Sequence, residues 1–257
     1  MKNLKLIAIT FLLPLFINIC EVNAQSLPTI QKVSVRAPAN LKIDGKATEW
    51  GDKFQANNKA TDVYYTLSND DENLYLVVQS KLLDVSNKIL MGSITLTINH
   101  TLSKHDMAAM AITYPDFEGN GRADAANMLA RKENEKRDAK DGIISVDDMN
   151  KLMDAKSKTI KTYGVKAITD NVISVYNQEG LKAAAQFDKD LAYTYELAIP
   201  LKYLALPNNG ADGFTYNIKI NGPDEKPVPH TSAPGPPMPM TATAPTDFWG
   251  EYTLAKK

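Results

Sequence analysis

Cysteine is almost missing from this 257-residue chain: Cys20 is the only one, and it ends an apolar run near the N-terminus. Lys2 and Lys5, the apolar stretch from Leu6 to Ile19 and the small-residue site Val22-Asn23-Ala24 together have the form of a removable export signal over residues 1-24. Lipidation of Cys20 is the alternative, and Asn18 and Ile19 are poor residues to precede a lipidated cysteine. Cleavage after Ala24 takes the only thiol with it, which excludes disulfides, thiolate metal sites and a cysteine nucleophile from the mature chain. Aromatic residues are few, at 8%, and Trp50 and Trp249 are the only tryptophans. Neither sign of charge dominates, since 29 basic and 30 acidic residues leave a formal charge of −1. No basic stripe marks a nucleic-acid partner, and no apolar run after residue 24 is long enough to cross a bilayer.

Catalytic signatures are also missing. The chain has no Gly-x-Ser-x-Gly elbow, no His-Glu-x-x-His helix and no phosphate-cradling glycine loop, and it reads as a protein that is not an enzyme. The two carboxylates of a glycoside hydrolase are paired in space rather than in sequence, and Glu196, on a strand with structural-looking neighbours, is a poor candidate.

What the chain does have is period-two patterning. Val63, Tyr65 and Leu67 share one face, as do Leu74, Leu76 and Val78 after a turn-rich Ser68 to Asn73, which predicts a hairpin. Ile94, Leu96 and Ile98 alternate with Ser93, Thr95 and Thr97, and Met107 to Tyr114 is expected to pair with that strand. Further strands are predicted at Val33 to Arg36, Tyr163 to Ile168, Val172 to Tyr176, Leu181 to Phe187, Ala192 to Ile199 and Phe214 to Ile220. Pro200 should stop the strand before it, and Leu201 to Leu204 should turn once as a helical coil. Nine or ten short strands at hairpin spacing, with no alternating strand-helix units, predict an all-β fold. The expected form is an antiparallel two-sheet β-sandwich, jelly-roll or immunoglobulin-like, as a single domain over residues 25-257.

Two segments interrupt the pattern. Residues 115-160 read as a helical insertion, with a solvated first helix from about Ala125 to Arg137 and a second opened by Ser145 with Asp148 three residues on, an N-capping arrangement. Residues 222-245 hold eight of the fourteen prolines, a composition and length that fit a binding loop or lid.

The sharpest chemical motif begins at Asp116. Asp116, Glu118, Asn120 and Asp124 offer side-chain oxygens at alternate positions, Arg122 offers its carbonyl and Gly121 permits a tight turn, the pattern of a structural calcium loop. Asn127 stands where a bidentate glutamate would complete it, and the alternative is an acidic, glycine-rich turn that opens a helix. His100, His105 and His230 share no motif and read as surface residues; a soft-metal site of His230 with Met238 and Met240 is the other option.

Ile43-Asp44-Gly45, Glu49-Trp50, Asn73-Leu74-Tyr75-Leu76, Glu196-Leu197-Ala198-Ile199-Pro200-Leu201 and Asp247-Phe248-Trp249-Gly250 occur in an order and spacing that resemble the family 9 carbohydrate-binding modules and their wider relatives. The resemblance covers residues 33-99 and 163-254. It implies that the segments from Leu41 to Asp52 and from Asp247 to Leu254 are the first and last strands of one sandwich. It also implies that aromatic side chains clamp a sugar ring and that calcium braces the loops. On that likeness Trp249 is the candidate stacking platform, with Tyr252 or Tyr114 as a second aromatic; the alternative is that Trp249 fills the core. The function implied is that of an exported, non-catalytic glycan-binding protein, a monomer in the periplasm, at the cell surface or outside the cell. Related sandwiches that hold b-type haem give a second reading, and an envelope scaffold a third.

Overall fold

A computed structural model describes residues 26-51, 53-100, 109-137, 144-206, 213-223 and 244-257. The expected export signal, His105, His230, Met238, Met240 and most of the proline-rich segment lie outside the described residues.

In chain order the strands are β1 (Ala56–Asn58), β2 (Val63–Asn69), β3 (Asn73–Ser80), β4 (Ile94–Asn99), β5 (Met110–Asp116) and β6 (Thr159–Tyr163). They continue with β7 (Val172–Ser174), β8 (Lys182–Phe187), β9 (Tyr193–Pro200), β10 (Gly213–Ile220) and β11 (Thr246–Thr253). Five form one sheet in the order β1-β2-β3-β9-β8, and six form the other in the order β11-β10-β4-β5-β6-β7. Every ladder is antiparallel. The architecture is therefore the predicted all-β, two-sheet sandwich with a helical insertion. The inward sets follow the alternation: Ile94, Leu96 and Ile98 from β4 meet Tyr193, Tyr195, Leu197 and Ile199 from β9 in one continuous core. Tyr65 and Tyr216 join the sheets across that core, their hydroxyls 2.9 Å apart.

Helix α1 (Leu83–Gly92) was not predicted; it buries Ile89 and Leu90 in the main core. Helices α2 (Gly121–Arg137) and α3 (Val146–Lys156) form the insertion. Ser145 caps α3 as its sequence indicates, its Oγ accepting from the Asp148 backbone N–H at 3.0 Å. The expectation of a fully solvated α2 needs correcting, because Ala125 and Leu129 are buried in the main core. One turn of 3-10 helix follows Pro200, over Leu201–Tyr203, as expected.

The segment from Leu41 onward is not the first strand. It has no ladder partner and instead folds over the outer face of the five-stranded sheet, where Ala47, Trp50 and Phe54 bury themselves against Tyr75, Val77 and Ala198. Val33 to Arg36 likewise forms only a single bridge, between Arg36 and Asn69. The strand expected from Tyr163 lies one turn earlier, at Thr159–Tyr163. Its ladder ends where Gly164 turns at φ +69°.

Glu196, fully buried in β9, holds this cover in place. Its Oε1 accepts from Trp50 Nε1 at 2.9 Å, and its Oε2 accepts from the backbone N–H groups of Asp44 at 3.0 Å and Gly45 at 2.9 Å. Burial pushes the carboxyl above its ordinary value, while the three donors work in the opposite direction. Gly45 is required twice over: its φ is +82°, and a Cβ there would sit 2.7 Å from the Ala185 carbonyl carbon. Three of the sequence markers, Ile43-Asp44-Gly45, Glu49-Trp50 and the run beginning at Glu196, are thus parts of one structural junction.

Replacing the carboxylate with an amide leaves an N–H group facing at least one N–H group. Glu196→Gln is therefore expected to destabilise the fold by about 2–4 kcal/mol, read as a lower urea midpoint, with Trp50 emission shifted to the red.

Candidate functional site

The outer faces of the two sheets differ. That of the five-stranded sheet lies beneath the apolar cover of Trp50 and its neighbours. That of the six-stranded sheet is largely polar, because most of the residues alternating with the core set on its strands are threonine, asparagine and charged side chains.

Strand register sets these side chains in rows. One row runs Asp247, Lys219, Thr95, Thr113, Lys161 and Val172. The adjacent row runs Trp249, Asn217, Thr97, Ala111 and Tyr163. Beyond it, Glu251 stands beside Thr215 and Thr215 beside Asn99. Hydrogen bonds stiffen the face: Thr95 and Thr113 hydroxyls are 2.7 Å apart, Asn221 Nδ2 donates to Thr95 Oγ1 at 2.9 Å and Asn99 Nδ2 donates to Thr215 Oγ1 at 3.0 Å. Asn217 Nδ2 donates to Asp247 Oδ2 at 2.6 Å, which orients the carboxylate next to the indole.

Trp249 belongs to this face and not to the core. Its neighbour Phe248 is the one that packs between the sheets, and a residue one position on must point the other way. The indole is partly exposed, flanked along β11 by Asp247 and Glu251, both exposed, and across the ladder by Asn217. Lys88 of α1 anchors the start of that strand through Thr246 Oγ1 at 2.8 Å and the Ala244 carbonyl at 3.2 Å.

The two aromatic partners named with Trp249 are not beside it. Tyr252 points inward, its hydroxyl 3.1 Å from each of two acceptors, the Val35 carbonyl and Asn69 Oδ1, and burial pushes that hydroxyl up to about 12. Tyr114 also lies in the core, its hydroxyl 3.2 Å from Ser157 Oγ. Both sit at positions in phase with the apolar set, so neither reaches the outer face. The aromatic that does share the row of Trp249 is Tyr163, 48% exposed at the end of β6. Its signal was there in the alternation from Ile160, and the expected strand start at Tyr163 concealed it. Four inter-strand steps of about 4.8 Å put the two rings roughly 19 Å apart.

The residues spaced like a calcium loop are arranged otherwise. Asp116 closes β5, and its Oδ1 accepts from Lys161 Nζ at 2.7 Å and from Arg122 Nη2 at 3.3 Å, while Oδ2 accepts from Thr159 Oγ1 at 3.1 Å. Helix α2 starts at Gly121, so the carbonyl of Arg122 and the side chain of Asp124 belong to its first turn. Glu118 and Asn120 are exposed in the turn before it. Among the described residues no three His, Cys, Asp or Glu side chains come together in a metal-binding group. A carboxylate already shared by two cations, with its neighbours turned into a helix, does not fit a hard divalent ion, and the helix-opening turn is what the chain forms.

Beside Asp116 a polar cleft of about 120 Å³ opens on the same outer face, lined by Ser93, Thr113, Arg122, Lys161, Asn221 and Gly222 among others. Of the groups weighed for metals or haem, His100 places Nδ1 2.5 Å from the Leu204 carbonyl. Met110, Met149 and Met153 are packed in the main core.

In comparisons with protein-family models, curated proteins and solved structures, the chain finds no match. Its likeness to carbohydrate-binding modules therefore rests on the quoted residues.

Calcium or EDTA at millimolar concentration is expected to leave the thermal midpoint unchanged. Asp116→Asn, which strips two partly buried cations of their partner, should cost about 1–2 kcal/mol in denaturant titration.

Proposed function

We propose that this protein is an exported, non-catalytic carbohydrate-binding protein that receives its ligand on the outer face of the six-stranded sheet. The observation that carries the reading is the placement of Trp249: a partly exposed indole on a sheet face, with the exposed carboxylates of Asp247 and Glu251 at its rim. A pyranose has an apolar face of C–H groups and an equatorial ring of hydroxyls. An indole takes the first, and carboxylate oxygens at its edge take the second. Partially fixed acceptors, as Asp247 is by Asn217, cost little entropy to use.

The non-catalytic part is supported by where Glu196 and Asp116 lie. Glu196, the acid weighed for glycoside hydrolysis, is sealed under Trp50 on the other sheet, and Asp116 is neutralised by Lys161 and Arg122. Action as a monomer in the periplasm or at the cell surface belongs to the same proposal, resting on the N-terminal sequence.

Titration calorimetry against a panel of neutral and acidic oligosaccharides is the direct test. At least one member should bind, and Trp249→Ala should weaken it by about fivefold or more, since stacking on an aromatic contributes about 1 kcal/mol or more. The same variant should keep its stability within about 0.5 kcal/mol, because the side chain is outside the core. A panel that yields no binding, or binding indifferent to Trp249→Ala, would overturn the reading.

A further inference from the structure

Among the described residues, the lining of the cleft at Lys161 holds two cations and no acid. We infer that it is an anion-binding subsite of the sugar face, so that the ligand is an acidic oligosaccharide whose carboxylate or sulfate group enters beside Lys161 and Arg122; this rests on the function proposed above.

Hydrogen-bond accounting at the cleft supports it. Ser93 Oγ donates to the Pro115 carbonyl at 2.6 Å, Thr113 is paired with Thr95, and Asn221 Nδ2 is given to Thr95. Asp116 accepts from Lys161, Arg122 and Thr159. Arg122 Nη1 donates to the Met91 carbonyl at 2.6 Å. An ammonium has three N–H donors and a guanidinium five, so most of the donors left over at this site belong to the two cations, beside the second N–H of the Asn221 amide. Among the described residues two positive groups share one carboxylate, a balance of +1. Both cations keep about a third of their side chain exposed, 32% for Lys161 and 28% for Arg122, so an incoming group can reach them.

The cleft's wall is closely packed: a Cβ on Gly92 would collide with the Asn221 carbonyl, so the end of α1 is pressed against the end of β10.

Position ties the cleft to the indole. Lys161 lies two residues before Tyr163 on β6, on the same face, in the row next to the one that joins Trp249 to Tyr163. A saccharide chain laid across the strands from Trp249 toward Tyr163 brings a substituent on its far residues alongside Lys161 and Arg122.

The test pairs each charged ligand with an uncharged twin of the same length, using the full chain: oligogalacturonate against its methyl ester, and a sulfated galactan oligosaccharide against the unsulfated one. The charged member should bind about tenfold tighter at low salt, with the advantage shrinking as salt rises. Lys161→Met and Arg122→Gln should each remove most of that advantage while leaving affinity for the uncharged twin unchanged, and Lys161→Arg should retain it. Trp249→Ala should weaken both members alike. Whichever pair shows the preference identifies the oxyanion as carboxylate or sulfate. Equal binding of charged and uncharged twins, both dependent on Trp249, would overturn the subsite and leave the proposed function standing. A preference that survives both cleft variants would also overturn it. Failure of every oligosaccharide to bind would remove the two readings together. Circular dichroism melts of each variant separate loss of the charge from loss of the fold.

Discussion

A buried carboxylate with three donors decides which side of this molecule can meet a ligand. Ionised Glu196 in the middle of a sheet would be intolerable alone, and each of the groups that make it tolerable comes from the Asp44 to Trp50 segment. Solvating the charge therefore obliges the N-terminal segment to lie across the five-stranded sheet, and the apolar contacts of Trp50 with Tyr75, Val77 and Ala198 follow from that. One outer face is sealed as a result. On the outer face of the other sheet threonine, asparagine and an indole are set out in register, with Asn99, Thr113, Thr215 and Asn217 buried and Thr95, Thr97 and Trp249 partly exposed.

Much of this fold was legible because a half-buried strand writes its two faces as alternation. β2, β3, β4, β9 and β10 each announce their inward set, and proline and turn residues mark their ends. Helix α1 left no such mark: Leu82 at its N-cap offers no side-chain acceptor, and Ser93 at its end adopts φ 75° in place of a glycine. The segment around Trp50 misled because Leu41 and Ile43 alternate like a strand, while the partner that bends it lies about 150 residues away and cannot be seen locally.

The site was half legible for a similar reason. Phe248 and Trp249 are adjacent aromatics, and either could have been the inward one. Gly250 settles it: a Cβ there would run into the Tyr216 ring, so Gly250 must face the core, and Phe248 and Tyr252 with it. That packing constraint belongs to the pair of strands β10 and β11, not to any one stretch of sequence. Asp116 shows the converse. Its spacing to Glu118, Asn120 and Asp124 was real, but the cations that claim it, Lys161 and Arg122, arrive from a neighbouring strand and a following helix.

The row from Trp249 to Tyr163 starts on an edge strand and crosses nearly the whole sheet, perpendicular to the strands. A pit would recognise the terminus of a polymer, and a track recognises its middle. On the proposed reading, a long glycan would lie over this surface with both tails trailing free, so the protein would grip interior stretches, hold several to a strand, and be indifferent to how the chain ends.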